Sequence, residues 1–131
     1  MTKKVVLDAS AVLAYLQDES GSEKVDVVLS EGRAIMSSVN YAEVVGKLLE
    51  AGLPESSVKV VMENLEFQIE PLDDKQAWKT GMLRMSTREF GLSLGDRACL
   101  ALAHIKKLPI ITADKQWDKL NTDIKIIQLR F

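Results

Sequence analysis

Short apolar runs rich in β-branched residues recur along this chain at 4–7, 34–36, 67–69, 109–112 and 125–129, and stretches of helical spacing separate them. The first run, Lys4-Val5-Val6-Leu7, is continuous rather than alternating. A strand buried on both faces reads that way. Strands separated by helices pair in parallel through right-handed crossovers. Helices are predicted over 9–17, 22–31, 40–51, 54–65, 73–89 and 93–107. Gly52 follows the third where a C-terminal cap belongs, Pro54 fits the first turn of the fourth, and Gly91 breaks the fifth. The expected class is α/β with a mainly parallel five-stranded sheet. In such sheets ligands bind outside the carboxyl ends of the strands, which says where chemistry belongs.

Four acids fall at that edge. Asp8 ends the first run, and Asp114 follows Thr112 by two residues. Glu43 and Asp96 lie in the first turns of predicted helices. Taken singly, each has a structural explanation. Asn40-Tyr41-Ala42-Glu43 and Ser93-Leu94-Gly95-Asp96 have capping-box spacing, and Asp8 and Asp114 suit helix N-caps. Capping does not, however, require four acids at one edge. With ~5 Å between charges and an effective dielectric of ~20, each pair repels by roughly 3 kcal/mol. Protons or cations must then intervene. The chain has one histidine and one cysteine, so the donors are oxygens, which suit Mg²⁺ or Mn²⁺ rather than zinc. The chemistry this implies is metal-assisted attack of water on a phosphodiester.

Composition narrows the alternatives. At 131 residues one domain, 1–131, is expected. Lys and Arg total 17 against 19 Asp and Glu, which excludes a binder held by bulk positive charge. The single cysteine, Cys99, allows no internal disulfide, and a reducing cytoplasm is the expected compartment. Asp8 interrupts any signal-like run, and no apolar stretch approaches the ~20 residues that cross a bilayer. Glycine-rich phosphate loops and G-x-S-x-G elbows are absent from the sequence. His104 reads as structural or surface, and Cys99 as core. Trp78, Met82 and Met85, at helical spacing, read as core or interface.

Four segments carry a resemblance. Val6-Leu7-Asp8-Ala9-Ser10-Ala11, Ser38-Val39-Asn40-Tyr41-Ala42-Glu43, Leu92-Ser93-Leu94-Gly95-Asp96-Arg97 and Ile111-Thr112-Ala113-Asp114-Lys115 together resemble the PIN-domain family. More narrowly they resemble the VapC-type ribonuclease toxins of VapBC toxin–antitoxin systems. The resemblance implies a three-layer α/β/α sandwich, Mg²⁺- or Mn²⁺-dependent endoribonuclease activity, a homodimer and a VapB-like antitoxin. Asp8, Glu43, Asp96 and Asp114 match the acidic metal-site positions. Ser10, Asn40 and Thr112 match the supporting polar positions. Some members carry a further acid just after the fourth; here Asp118 falls four residues on, and a surface ion pair explains it equally well.

Arg97, Lys115 and Lys47 are candidate phosphate contacts, each weighed against an ordinary surface cation. An amphipathic antitoxin helix is expected to dock over 40–65, where Val44, Val45, Leu48, Leu49, Val60 and Val61 exceed one buried stripe. A dimer contact is expected around Trp78, Met82 and Met85. The rival readings are a non-cleaving RNA- or protein-binding module and a structure-selective DNA nuclease.

Overall fold

In the computed structural model, which describes residues 3–130, successive strand residues face opposite layers of the molecule. In β1 (Val5–Leu7), Val5 and Leu7 enter one apolar core and Val6 the other. In β2 (Ala34–Ser37), Ala34 and Met36 join the first core and Ile35 the second. In β4 (Ile110–Thr112), Ile111 and Ile110 divide in the same way. All three strands are buried throughout, as their continuous apolar runs require.

Two edge strands, β3 (Gln68–Glu70) and β5 (Ile126–Gln128), complete an all-parallel sheet in the order β3-β2-β1-β4-β5. The helices are α1 (Ala9–Leu16), α2 (Glu23–Ser30), α3 (Ser38–Glu50), α4 (Glu55–Glu63), α5 (Asp74–Thr87) and α6 (Leu94–Lys106). The first core packs residues of α1 to α4 on one sheet face. The second packs α6 on the other, with Leu83 of α5 and Trp117 beside it. This is the expected three-layer sandwich. The strand order reverses at β1 and β4, the topological switch point where such sheets form their crevice.

The predicted elements all occur, with two differences that matter. First, α3 starts at Ser38, not Asn40. Ser37 ends β2 in an extended conformation, and its hydroxyl accepts from the Val39 N–H, so Ser37 is the cap. The Asn40–Glu43 capping box is therefore absent, and Asn40 lies inside the first turn. Second, the apolar stripe of α5 does not face the core. Trp78, Met82 and Met85 are 73%, 60% and 72% exposed, while Gln76, Thr80 and Thr87 are buried. Thr80 and Thr87 satisfy their hydroxyls on the carbonyls of Gln76 and Leu83, both at 2.7 Å, so these short side chains tolerate burial. The core reading of the stripe is thus wrong, and it forms part of the surface. Gly52 closes α3 with φ of 100°, a left-handed turn that glycine accepts without strain.

Candidate active site

β1 delivers Asp8 to the switch point, and the register pairs Leu7 with Ile111 of β4. Asp8 is 3% exposed. Its carboxylate accepts from the Ala11 N–H at 2.8 Å, which caps α1, and from the Ser10 hydroxyl at 2.8 and 2.9 Å. The buried Thr112 hydroxyl donates to its second oxygen in a short bond. Ser10 in turn accepts from the Ala113 N–H at 2.9 Å, and Thr112 from the Asp114 N–H at 3.1 Å. The ends of β1 and β4 are thus stitched together around one carboxylate. Burial raises the Asp8 carboxyl to about 6 against the pull of these hydrogen bonds, and the nearby Asp96 charge adds to the rise.

Glu43 approaches from α3. Asn40, 1% exposed, donates through Nδ2 to Glu43 Oε1 at 2.9 Å and to the Gly95 carbonyl of α6 at 3.0 Å. The Glu43 carboxyl lies against Gly95, where an added Cβ would sit 2.3 Å from Oε1 and 2.4 Å from Cδ and Oε2. Asp96 follows in the first turn of α6. The buried Cys99 thiol registers all three neighbours: burial raises it, then the charges of Asp8, Asp96 and Glu43. Asp114 joins through its backbone bond to Thr112.

The capping explanations hold for three of the four acids. Asp96 and Ser93 form a full capping box, and Asp114 accepts from the Gln116 N–H at 2.9 Å. Capping and a shared edge are therefore not exclusive. The close four-acid cluster is, however, too tight an expectation. Among the described residues no three His, Cys, Asp or Glu side chains come together to hold one ion as they stand. Asp96 and Asp114 instead turn their carboxylates onto the N–H groups of Ser93 and Gln116. The donor chemistry nonetheless fits a hard cation. All the groups are oxygens, and the buried Asn40 Oδ1 has no hydrogen-bond partner, which leaves one acceptor for a cation or its bound water.

The remaining predicted residues divide. Arg97 is buried, with one guanidinium nitrogen donating to the Thr80 carbonyl of α5 at 3.1 Å. It ties the two helices together and is not a surface cation awaiting phosphate. Lys47 is exposed and pairs with Glu50 at 3.7 Å. Lys115 is exposed just beyond Asp114. Asp118 is exposed and accepts from Gln128 Nε2 at 3.2 Å, not from a lysine. Val44 belongs to the core, so in the predicted antitoxin groove Leu49 and Val60 are the exposed members, at 46% and 57%. His104 is exposed and Cys99 is core, as read.

Two residues escaped the sequence reading. Gly95 seats Glu43, a contact no local pattern reveals. Gln128 pairs with Thr112 in register and donates through Nε2 to the Asp114 carbonyl at 2.9 Å. Its signal was available, since a polar residue interrupts an apolar strand there, as Asp8 ends the first.

The family model described as PIN domain matches residues 5–122. The chain belongs to the PIN-domain family. This PIN domain is also similar to solved structures, all distant in sequence. A chain of DNA-bound VapBC from Salmonella typhimurium matches with a TM-score of 0.75 at 19% identity, covering 98% of this chain and 99% of that one. A chain of FitAcB from Neisseria gonorrhoeae matches at 0.69 and 21% identity, covering 95% and 97%. VapC20 of Mycobacterium tuberculosis, described as a sarcin-ricin loop cleaving toxin, matches at 0.68 and 11%, covering 88% and 93%. At these identities the likeness is one of fold. No curated protein sequence matches this PIN domain. Among its described residues, no helix is long and apolar enough to cross a membrane.

Proposed function

We propose that this PIN domain is a VapC-type endoribonuclease toxin that hydrolyses RNA phosphodiesters with Mg²⁺ or Mn²⁺ and is held inactive by a VapB-like antitoxin. The observation that carries the reading is the buried Asp8 carboxylate at the switch point, raised to about 6 with Asp96 beside it. A buried carboxylate whose proton affinity is raised by burial and by a neighbouring acid, at the carboxyl edge of a parallel sheet, is characteristic of a functional site. The family match and the VapBC and sarcin-ricin structures among its fold relatives support it.

Asp8 and Asp96 would hold the main cation, with Glu43 and Asp114 ligating directly, through water, or at a second ion. The cation would polarise the phosphate and acidify a bound water. The chain's own groups do the rest. Ser10 and Thr112 fix the Asp8 carboxylate by donating to both of its oxygens. Asn40 holds Glu43 at α6. One of the four carboxylates orients the attacking water or takes its proton. Lys115, exposed next to Asp114, would meet substrate phosphate. RNA loops suit such a site, because their unstacked bases are read by shape rather than bulk charge.

The test is inducible expression of wild type beside Asp8→Asn with RNA ends mapped by sequencing. Matched digests of RNA and DNA accompany it. Discrete new RNA ends in wild type alone support the reading. A cellular effect that survives in Asp8→Asn points to a binding module, and preferential DNA cleavage to a DNA nuclease.

A further inference from the structure

Glycine is less favourable in a helix interior than any residue but proline. Two lie there, Gly46 in α3 and Gly81 in α5, and a third, Gly95, is the second residue of α6. At Gly46 and Gly81 an added Cβ meets nothing within 4 Å, so space does not demand glycine. Gly95 is different. Its Cβ would fall 2.3–2.4 Å from three atoms of the Glu43 carboxyl group, far inside contact distance. Asn40 closes the arrangement by bonding Glu43 Oε1 and the Gly95 carbonyl through one amide nitrogen.

The geometry points to Gly95 as a positioning residue: its missing side chain is the seat of the Glu43 carboxylate, and Asn40 is the clamp. The inference rests on the nuclease reading for its functional consequence, but not for the seat itself. The seat lies in the first turn of α6, where the positive end of the helix dipole favours a carboxylate. It also explains how Glu43, on a flexible side chain in another helix, is held against the first turn of α6. A methyl group at position 95 meets the far end of that flexible side chain, which can swing away at little cost to the fold. The expected signature is therefore loss of position without loss of stability.

The experiment compares wild type, Gly95→Ala, Glu43→Ala, the double variant, and Gly81→Ala as a methyl added in open space. Three readouts are taken: the Asn40 side-chain amide resonances by NMR, thermal melts, and RNA cleavage in Mn²⁺. In Gly95→Ala the Asn40 resonances should move toward their positions in Glu43→Ala, and the Tm should equal or exceed wild type. Cleavage should fall about 100-fold, the scale of a misplaced group, with no further loss in the double variant. Gly81→Ala should cleave as wild type does. If Gly95→Ala instead melts lower, the double variant must recover that loss. Wild-type Asn40 resonances in Gly95→Ala, or a Tm loss that persists without Glu43, overturn the proposal. If wild type cleaves no RNA, the nuclease reading falls, while the resonances and melts still judge the seat.

Discussion

Replacing Asp8 with asparagine should stabilise the protein near neutral pH while abolishing its activity. Burial lifts the carboxyl from 3.8 to about 6, so the folded state binds the proton more tightly than the unfolded chain. The stability that this group contributes is then greatest below pH 3.8, falls as pH rises toward 6, and stays reduced above it. At about 1.4 kcal/mol per tenfold change in proton affinity, the ionised side chain costs the fold about 3 kcal/mol at pH 7.5. Asparagine mimics the neutral acid. Its oxygen can accept from the Ala11 N–H, and the Ser10 and Thr112 hydroxyls can rotate to receive its amide. Urea melts in EDTA between pH 3.5 and 8 read the difference directly. Asp8→Asn should exceed wild type by about 3 kcal/mol at pH 7.5, or about 10 °C in Tm for a domain of this size. The gap should shrink to about 0.5 kcal/mol by pH 4 and go on closing below it. Saturating Mn²⁺ should narrow it, because a ligand at 100 times its Kd adds about 2.7 kcal/mol to wild type. A variant less stable than wild type at pH 7.5, or a gap that ignores pH, refutes the reasoning.

Other perturbations follow from the same contacts. Thr112→Val removes the hydroxyl that donates to Asp8 and accepts from Asp114, and should cost about 1–3 kcal/mol. It should also move the Asp8 transition to higher pH, read by carboxyl NMR. Arg97→Ala should lower stability by about 2 kcal/mol through its lost bond to Thr80 and leave the KM for RNA unchanged, whereas Lys115→Ala should raise KM with little change in melting. Asp96→Asn should keep its capping bond to Ser93, melt at or above wild type in EDTA, and cut no RNA. Light scattering at micromolar concentration should find a dimer that Trp78→Ser together with Met85→Ser converts to monomer; a wild-type monomer contradicts this.

Strand positions and their faces were legible because continuous β-branched runs leave few other readings. The strand order was not legible: the pairing of β1 with β4, which brings Asp8 and Thr112 side by side and bonds them, appears only in the structure. The start of α3 was not legible. Ser37, Ser38 and Asn40 all suit an N-cap, and nothing local says which one the strand hands over to. Asn40 looked like a cap because its actual partner, the Gly95 carbonyl, lies 55 residues away. The α5 stripe misled for a related reason. Apolar spacing identifies a face but not its partner, and α5 packs through Thr80 against Arg97 while Trp78 and Met85 stay outside. Arg97 was read as a surface cation because burial of a guanidinium depends on that same tertiary contact.

The most direct test of the central claim is cleavage of a structured RNA by purified protein across a Mn²⁺ titration, in wild type and Asp8→Asn. The site reading predicts no cleavage in EDTA, a rate that rises with Mn²⁺ and saturates, and a rate at least about 100-fold lower in Asp8→Asn at every concentration. Cleavage that persists in EDTA, or that Asp8→Asn matches, contradicts it.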